Sequence, residues 1–239
     1  QCFNKGNTKI TLGTGASILT NIGSQYTSKK NIITTLSYVY KNKPSYSYEC
    51  LINYAGATVS WLNSNLEIIK KPEETNAIFA KTENSNGVIF IPAFVGLSSP
   101  HWLPTCKGMI YGLTPSVNKN HIIRSALESI AFQIKDYVDD LEKNQKIVCN
   151  DIYIDGGIVS NTSFMQFLSN TLKRKIYVTD FKDMSSYGSL VMGLLGMKIK
   201  KNLKDISIYK QKYSSYFPNK NKFPESYNEW KEVLKNFYL

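Results

Sequence analysis

The chain has 239 residues, of which 42% are apolar, and this is enough to bury the core of one large domain. No stretch approaches the roughly 18 consecutive apolar residues that span a bilayer, and the start shows no charged-then-apolar leader, so we expect neither a membrane span nor a signal peptide. The first residue is Gln rather than Met, and we therefore expect this chain to belong to a longer or processed protein.

The four cysteines lie far apart and show no paired spacing, which argues against a zinc site or a disulfide framework and favours reduced thiols in a cytoplasmic protein. The net charge of +11 attracts anions of any kind. Only Arg124 and Arg174 among the 29 basic residues are arginines, and base reading favours arginine. The scattered lysines therefore favour a solvated surface over a nucleic-acid interface, whose mark would be steeply salt-dependent binding.

The first quarter of the chain predicts a β-meander. Residues 8–12 and 16–22 are rich in β-forming residues and flank Gly13-Thr14-Gly15, a pattern typical of a hairpin. Residues 32–40 and 46–51 follow as two further strands joined by a turn.

The rest of the chain alternates between helices and strands. Apolar spacing and capping residues predict helices over residues 54–66, from Pro72 onward, and over residues 118–141, 161–172, 185–197 and 225–237. Short apolar runs predict strands over residues 88–91, 109–113, 152–154 and 175–179. A surface connector is expected over residues 207–224, before the C-terminal helix. This order predicts a mixed sheet with helices on both faces.

Two glycine turns, Gly13-Thr14-Gly15 and Asp155-Gly156-Gly157, follow the ends of extended apolar runs. Glycine lets the backbone turn sharply, and it lets N–H groups approach an anion closely. Two such turns in one domain suggest a divided nucleotide site, in which one turn contacts the phosphates and the other contacts the rest of the nucleotide. Either turn alone is also explained as an ordinary connection between elements.

Several blocks, in this order, resemble the C-terminal domain of the FGGY family of carbohydrate kinases over essentially the whole chain, residues 1–239. They are Leu12–Gly15, Ala55–Ala57 with Trp61-Leu62, Pro92–Leu97 with Pro100–Trp102, Asn120–Arg124, and Asp155–Gly157 followed by Asn161. Within the family, the Asn120–Arg124 and Pro100–Trp102 blocks point to glycerol kinases over pentulose kinases.

The resemblance implies an α/β, ribonuclease H-like and actin-like ATPase domain, in which a mixed sheet is flanked by helices. In this family two such domains close over ATP and Mg²⁺, and the γ-phosphate moves to a polyol hydroxyl. The resemblance makes this chain the nucleotide-binding half. The general-base Asp, a phosphate loop and most substrate contacts are expected upstream of Gln1, so the chain alone should be inactive. Expected partners are an adenine nucleotide, glycerol or a similar polyol, and the N-terminal domain, in a homo-oligomer of the full enzyme without nucleic acid.

The resemblance assigns nucleotide contacts to six residues: Thr14, Gly15, Gly56, Ser60, Gly157 and Asn161. It assigns a substrate contact to Ser17, and it places no catalytic residue or metal ligand in this chain. Ser60 stands where the family often has Gln, and Ser17 stands where glycerol kinases commonly have Phe. These departures leave open another sugar or polyol kinase of the family, or a nucleotide-binding module without catalysis.

Other polar residues have structural interpretations. Glu128 interrupts an apolar helical stripe, and Arg124 one turn earlier is its expected partner. His121 lies at a predicted helix start, where we expect a structural role. Asn161 is a candidate helix cap as well as a nucleotide contact, and Asp155 either orients water or metal or caps a turn.

Small residues mark the surface of the helix predicted over residues 185–197. They are Ser186, Gly188, Ser189 and Gly193. Such residues suit close packing against a neighbouring element.

Overall fold

The computed structural model describes residues 2–179, 181, 184–203, 212–219 and 222–239. Within these ranges the strands are β1 (Thr8–Leu12), β2 (Ala16–Gly23), β3 (Ile33–Tyr40), β4 (Lys43–Ile52), β5 (Ile89–Ile91), β6 (Met109–Tyr111), β7 (Ile152–Gly156), β8 (Ile176–Thr179) and β9 (Tyr213–Tyr216). The α-helices in the same ranges are α1 (Gly56–Ser64), α2 (Glu74–Lys81), α3 (Lys119–Lys143), α4 (Thr162–Leu172), α5 (Met184–Gly196) and α6 (Ser226–Tyr238). A 3-10 turn, Gly157–Ser160, joins β7 to α4.

Seven of the strands form a mixed sheet in the spatial order β3-β4-β2-β1-β7-β8-β9. Strands β1 to β4 pair antiparallel as a meander, whereas β7 runs parallel to both β1 and β8. Parallel neighbours need a crossover, which α4 supplies between β7 and β8. Because β1 and β7 run in the same direction, their carboxyl ends meet at one edge, with Leu12 opposite Gly156.

The core lies between one face of this sheet and the long helix α3. Ile10 of β1 and Ile154 of β7 are fully buried on that face, and Leu127 and Ile134 of α3 are buried against the same cluster. A second cluster joins β5 to α6 around Trp230, whose indole N–H donates to the carbonyl of Phe90 at 3.2 Å. Burial of these side chains fixes α3 beneath the edge where β1 and β7 end.

The start of α3 carries a reciprocal cap. The Asn118 side-chain oxygen accepts from the N–H of Asn120 at 2.9 Å, and His121 Nδ1 accepts from the N–H of Asn118 at 3.2 Å. The structural role predicted for His121 is confirmed. Caps of this kind satisfy backbone groups that the helix itself leaves unpaired.

We expect Asn118→Ala to lower the free energy of unfolding by about 1 kcal/mol, because the substitution removes this cap. Urea unfolding followed by circular dichroism measures the change. Asn118→Asp keeps a capping oxygen and is the control. Equal midpoints for the wild type and Asn118→Ala would show that the cap does not stabilise α3.

Arg124 and Glu128 form the ion pair predicted for them, with Nε and Oε1 separated by 2.8 Å. The guanidinium carbon of Arg124 also lies 4.3 Å from the centroid of the Phe79 ring. Its Nη1 donates to the backbone carbonyl of Phe79 at 2.9 Å, and these contacts hold α2 against α3. Burial raises the pKa of Glu128, while the Arg124 guanidinium opposes this shift. This pair is therefore part of the framework that holds α2 in place.

The predicted meander, the alternating elements and the mixed sheet flanked by helices are confirmed. Within the surface connector predicted over residues 207–224, residues 213–216 form the half-exposed strand β9, which pairs with β8. Residues 207–211 and 220–221 of that prediction lie outside the described residues.

All four cysteines are free, and Cys50, Cys106 and Cys149 are buried, as the sequence predicts for reduced thiols. Among the helices of the described ranges, none combines the length and the apolar character needed to cross a membrane.

Candidate functional site

A cavity of about 340 Å³ opens at the edge where β1 and β7 end. Its walls come from the β1–β2 turn, α1, the start of α2, α3 and the 3-10 turn. The lining residues are Leu12, Gly13, Thr14, Gly56, Ala57, Val59, Ser60, Pro72, Glu73, Thr75, Asn76, Leu127, Gly157, Ile158, Ser160 and Asn161. This volume lies in the range typical of small-molecule sites.

The β1–β2 turn is joined to the start of α1 by backbone hydrogen bonds. The carbonyl of Gly13 accepts from the N–H of Gly56 at 2.9 Å, and the carbonyl of Thr14 accepts from those of Ala55 and Ala57 at 3.0 and 2.8 Å. A Cβ at Gly56 would lie 2.5 Å from the Gly13 oxygen, so only glycine allows this approach. These N–H groups are occupied and are not available to an anion in the cavity.

The two glycines where β7 ends, Gly156 in the strand and Gly157 in the 3-10 turn, have different functions in the fold. Gly156 has a φ of +109°, and an added Cβ would lie 2.1 Å from the carbonyl oxygen of Leu12. The backbone of Gly157 lies outside the left-handed region, and an added Cβ would meet nothing within 4 Å. Gly156 therefore permits the strands to converge, whereas Gly157 leaves open space beside its backbone in the cavity wall.

Asn161 supplies an unsatisfied polar group in the cavity wall. Its side-chain oxygen accepts from the N–H of Phe164 at 3.0 Å, which confirms the predicted cap of α4. Only 2% of the residue is exposed, and its Nδ2 has no hydrogen-bond partner. An unpaired buried donor costs about 1–3 kcal/mol. Nδ2 is itself buried, so the Asn161 side chain must turn towards the cavity before a ligand acceptor can pair with it.

The start of α2 forms a wall of the cavity that the sequence patterns do not predict. Pro72, Glu73, Thr75 and Asn76 all line the cavity. Their pattern of a proline followed by acidic residues indicates a helix start, but it does not show which surface that helix faces. Among the lining residues, Glu73 is the one with a formal charge, so these walls offer no cation to a phosphate.

The structure brings together five of the residues assigned to the nucleotide: Thr14, Gly56, Ser60, Gly157 and Asn161. The hydroxyl of Ser60 donates back to the carbonyl of Gly56 at 3.3 Å, so it is already engaged within its own helix. The hydroxyl oxygen can still accept a hydrogen bond, and the nucleotide contact of Ser60 remains a prediction.

Gly15 and Ser17 are not among the lining residues. A Cβ at Gly15 would lie 2.5 Å from the carbonyl oxygen of Ile52, so this glycine allows β2 to approach the end of β4. Ser17 is half-buried on the sheet face opposite the core, and its hydroxyl lies 3.5 Å from Oε1 of Glu49. The substrate contact of Ser17 remains a prediction.

Asp155 is paired with Lys9 rather than directed into the cavity. It is buried and accepts from the Lys9 ammonium, which also donates to Thr11 Oγ1 at 2.6 Å. Burial lowers the pKa of Lys9, and the bond to Asp155 opposes this shift. The sequence could not show this pair, because its members are 146 positions apart.

Within the described part of the chain, no group of three or more His, Cys, Asp or Glu side chains is placed to hold a metal ion.

A family model described as the FGGY family of carbohydrate kinases, C-terminal domain, matches residues 8–197. Among curated proteins, a glycerol kinase of Saccharolobus islandicus is 34% identical over 236 residues, which are 98% of this chain and 47% of that protein. A glycerol kinase of Psychromonas ingrahamii is 33% identical over 240 residues, with the same coverage. The chain therefore spans about half the length of the curated relatives it matches.

Solved structures show the same relationship. A Plasmodium falciparum glycerol kinase with ADP superposes with a TM-score of 0.90 at 35% identity, covering 100% of this chain and 48% of that one. A xylulose kinase from Lactobacillus acidophilus superposes at 0.84, covering 98% of this chain and 48% of that one, and its 18% identity shows the fold alone. The ribonuclease H-like, actin-like fold predicted from the sequence is confirmed.

Proposed function

Because the chain belongs to the FGGY family of carbohydrate kinases, as its C-terminal domain, we propose that it is the nucleotide-holding half of an ATP-dependent glycerol kinase. The observation that carries the proposal is that Thr14, Gly157 and Asn161 line the same cavity. The whole enzyme would transfer the γ-phosphate of ATP to a terminal hydroxyl of glycerol.

In this proposal the adenosine lies against Gly157, and the phosphates extend towards Thr14. The open space at Gly157 admits a flat group close to the backbone, and the unpaired Nδ2 of Asn161 donates to an acceptor on the nucleotide once the side chain turns towards the cavity. The hydroxyl of Thr14, on an exposed turn, is a donor for a phosphate oxygen. The chain's own contribution is therefore to bind and orient ATP.

Phosphoryl transfer depends mainly on positioning and charge neutralisation. Bound Mg²⁺ would neutralise charge on the phosphates, a function that the cavity walls do not supply. The general base and the acceptor contacts are assigned to the preceding half of the enzyme. We accordingly expect the 239-residue chain to bind nucleotide without phosphorylating glycerol.

Two alternatives share the same nucleotide cavity. The polar pair of Ser17 and Glu49 favours an acceptor with more hydroxyl groups than glycerol, if Ser17 contacts the acceptor. A nucleotide-binding module without catalysis would give the same ADP affinity in this chain. Only a protein that also contains the preceding half distinguishes these possibilities, by turnover with a panel of polyols and sugars.

Asn161→Asp tests the nucleotide proposal. Aspartate keeps the oxygen that caps α4, but it removes the donor and adds a negative charge to the cavity wall. We expect the affinity for ADP, measured by calorimetry, to fall about tenfold to a hundredfold, the range for one hydrogen bond to a charged ligand. A carboxylate at this buried position also costs stability, so the titration is made at a temperature where circular dichroism shows both proteins folded. Unchanged ADP affinity would remove Asn161 from the site and weaken the proposal.

A further inference from the structure

Two polar side chains at the start of α2 stand together in the cavity wall. Glu73 and Asn76 both line the cavity, and Glu73 has helical backbone angles, with φ at −64° and ψ at −24°. Residues three apart on a helix lie on the same side of it, so these side chains are neighbours. We call them the α2 pair. The lining residues contributed by α1, α3 and the 3-10 turn are mainly small or apolar.

The α2 pair is available to a ligand. Within the described residues neither side chain forms a hydrogen bond or an ion pair, and Glu73 is exposed while Asn76 is half-buried. Three hydroxyl groups of the same cavity already donate to backbone carbonyls, those of Ser60, Thr75 and Ser160. The α2 pair therefore offers the free polar groups with which this cavity can read the edge of a base.

The start of α2 lies at the end of the cavity that the adenosine takes in the proposed function, on which this inference rests. Phe79 of α2 packs edge-on against Phe164 of α4, with 5.9 Å between the ring centroids. Asn161, which caps α4, lines the cavity together with Glu73, and Gly157 lies just before it. The edge of the base, rather than the phosphates, therefore meets the α2 pair.

We propose that Glu73 is a specificity-determining residue, and that its carboxylate makes the cavity accept guanine nucleotides as well as adenine nucleotides. A carboxylate offers two acceptor oxygens and no donor. Guanine presents two neighbouring donors, the ring N1–H and the exocyclic amine, which match both oxygens in a two-bond fork. Adenine presents one amine beside a ring nitrogen that accepts, so it pairs with one oxygen of Glu73 and with the amide of Asn76.

Glu73 also has a structural role that a test must separate from base selection. An acidic side chain at a helix start interacts favourably with the positive end of the helix dipole. Glu74 occupies the next position, and its Oε2 accepts from the backbone N–H of Lys70 at 3.4 Å. Glu74 is not a lining residue of the cavity. The substitution Glu74→Gln therefore makes the same change of charge on the same helix turn without touching the site.

Calorimetric titration of the 239-residue chain with ADP, GDP and inosine diphosphate tests the proposal. Inosine diphosphate is GDP without the exocyclic amine, so the ratio of these two affinities cancels every effect of charge on the phosphates. We expect GDP to bind within about tenfold of ADP and about tenfold or more tightly than inosine diphosphate, the range for one hydrogen bond to a charged group. Glu73→Gln should bring that ratio close to one, and Glu74→Gln should keep it.

GDP binding more than tenfold weaker than ADP binding would overturn the inference and leave the adenine nucleotide site intact. A ratio of GDP to inosine diphosphate affinity that Glu73→Gln leaves unchanged, or that Glu74→Gln lowers equally, would also overturn it. Absence of ADP binding in the wild type would instead contradict the proposed function, and this inference with it. Circular dichroism of each variant at the titration temperature verifies that the compared proteins are folded.

Discussion

Gly157→Val is expected to abolish ADP binding while leaving the fold intact. The backbone of Gly157 accepts other residues, and an added side chain meets open space rather than protein. That space lies in the cavity wall, so two methyl groups would occupy the place that the nucleotide takes. Overpacking of this kind costs up to several kcal/mol, and we expect the affinity to fall about a hundredfold or more. Calorimetric titration with ADP measures the loss.

Gly193→Val is the matched control for this change. It adds the same side chain at another glycine with open space around it, on α5 and away from the cavity. The control should bind ADP as the wild type does. Equal ADP affinity in Gly157→Val and in the wild type would show that the nucleotide does not pass over the 3-10 turn.

Gly156→Ala is expected to destabilise the domain by about 3 kcal/mol or more, since it combines backbone strain with a clash. The φ of +109° is one that L side chains rarely adopt, and the new Cβ would lie 2.1 Å from the carbonyl oxygen of Leu12. Either β1 or β7 must move. For a domain of this size the thermal midpoint should fall by roughly 6–12 °C, as measured by calorimetric unfolding.

Gly23→Ala separates the two contributions. Gly23 also has a positive φ, +92°, but an added Cβ there meets nothing within 4 Å. This control should be destabilised only by the strain of the left-handed backbone, which costs about 1–2 kcal/mol. If Gly156→Ala costs no more than Gly23→Ala, the ends of β1 and β7 do not approach each other closely at Gly156.

Local patterns were sufficient to predict most elements of the fold. The apolar stripe of α3 and the alternation of β1 and β2 each encode their structure within a few turns or residues. Strand β9 escaped prediction, because Tyr213–Tyr216 is four residues long and lies in a stretch rich in Lys, Asn and Tyr. Its strand conformation depends on pairing with β8, which is distant in sequence.

The residues that line the cavity were predicted in part. The glycine turns showed where Thr14 and Gly157 would lie, because parallel strands bring their carboxyl ends to one edge. The wall made by the start of α2 was missed, since no local signal tells which surface a helix start will face. The hydrogen-bond partners of Ser60 and Asp155 could not be predicted from the sequence either. Ser60 bonds within its own helix, and Asp155 bonds to a lysine on a strand far away in sequence.

A crystal structure of the 239-residue chain grown with ADP and Mg²⁺ tests the central assignment most directly. We predict nucleotide density in the cavity, with the adenosine against Gly157, Nδ2 of Asn161 within hydrogen-bond distance of a nucleotide acceptor, and the phosphates near Thr14. Density at any other surface, or an empty cavity under conditions where calorimetry shows saturation, would contradict it.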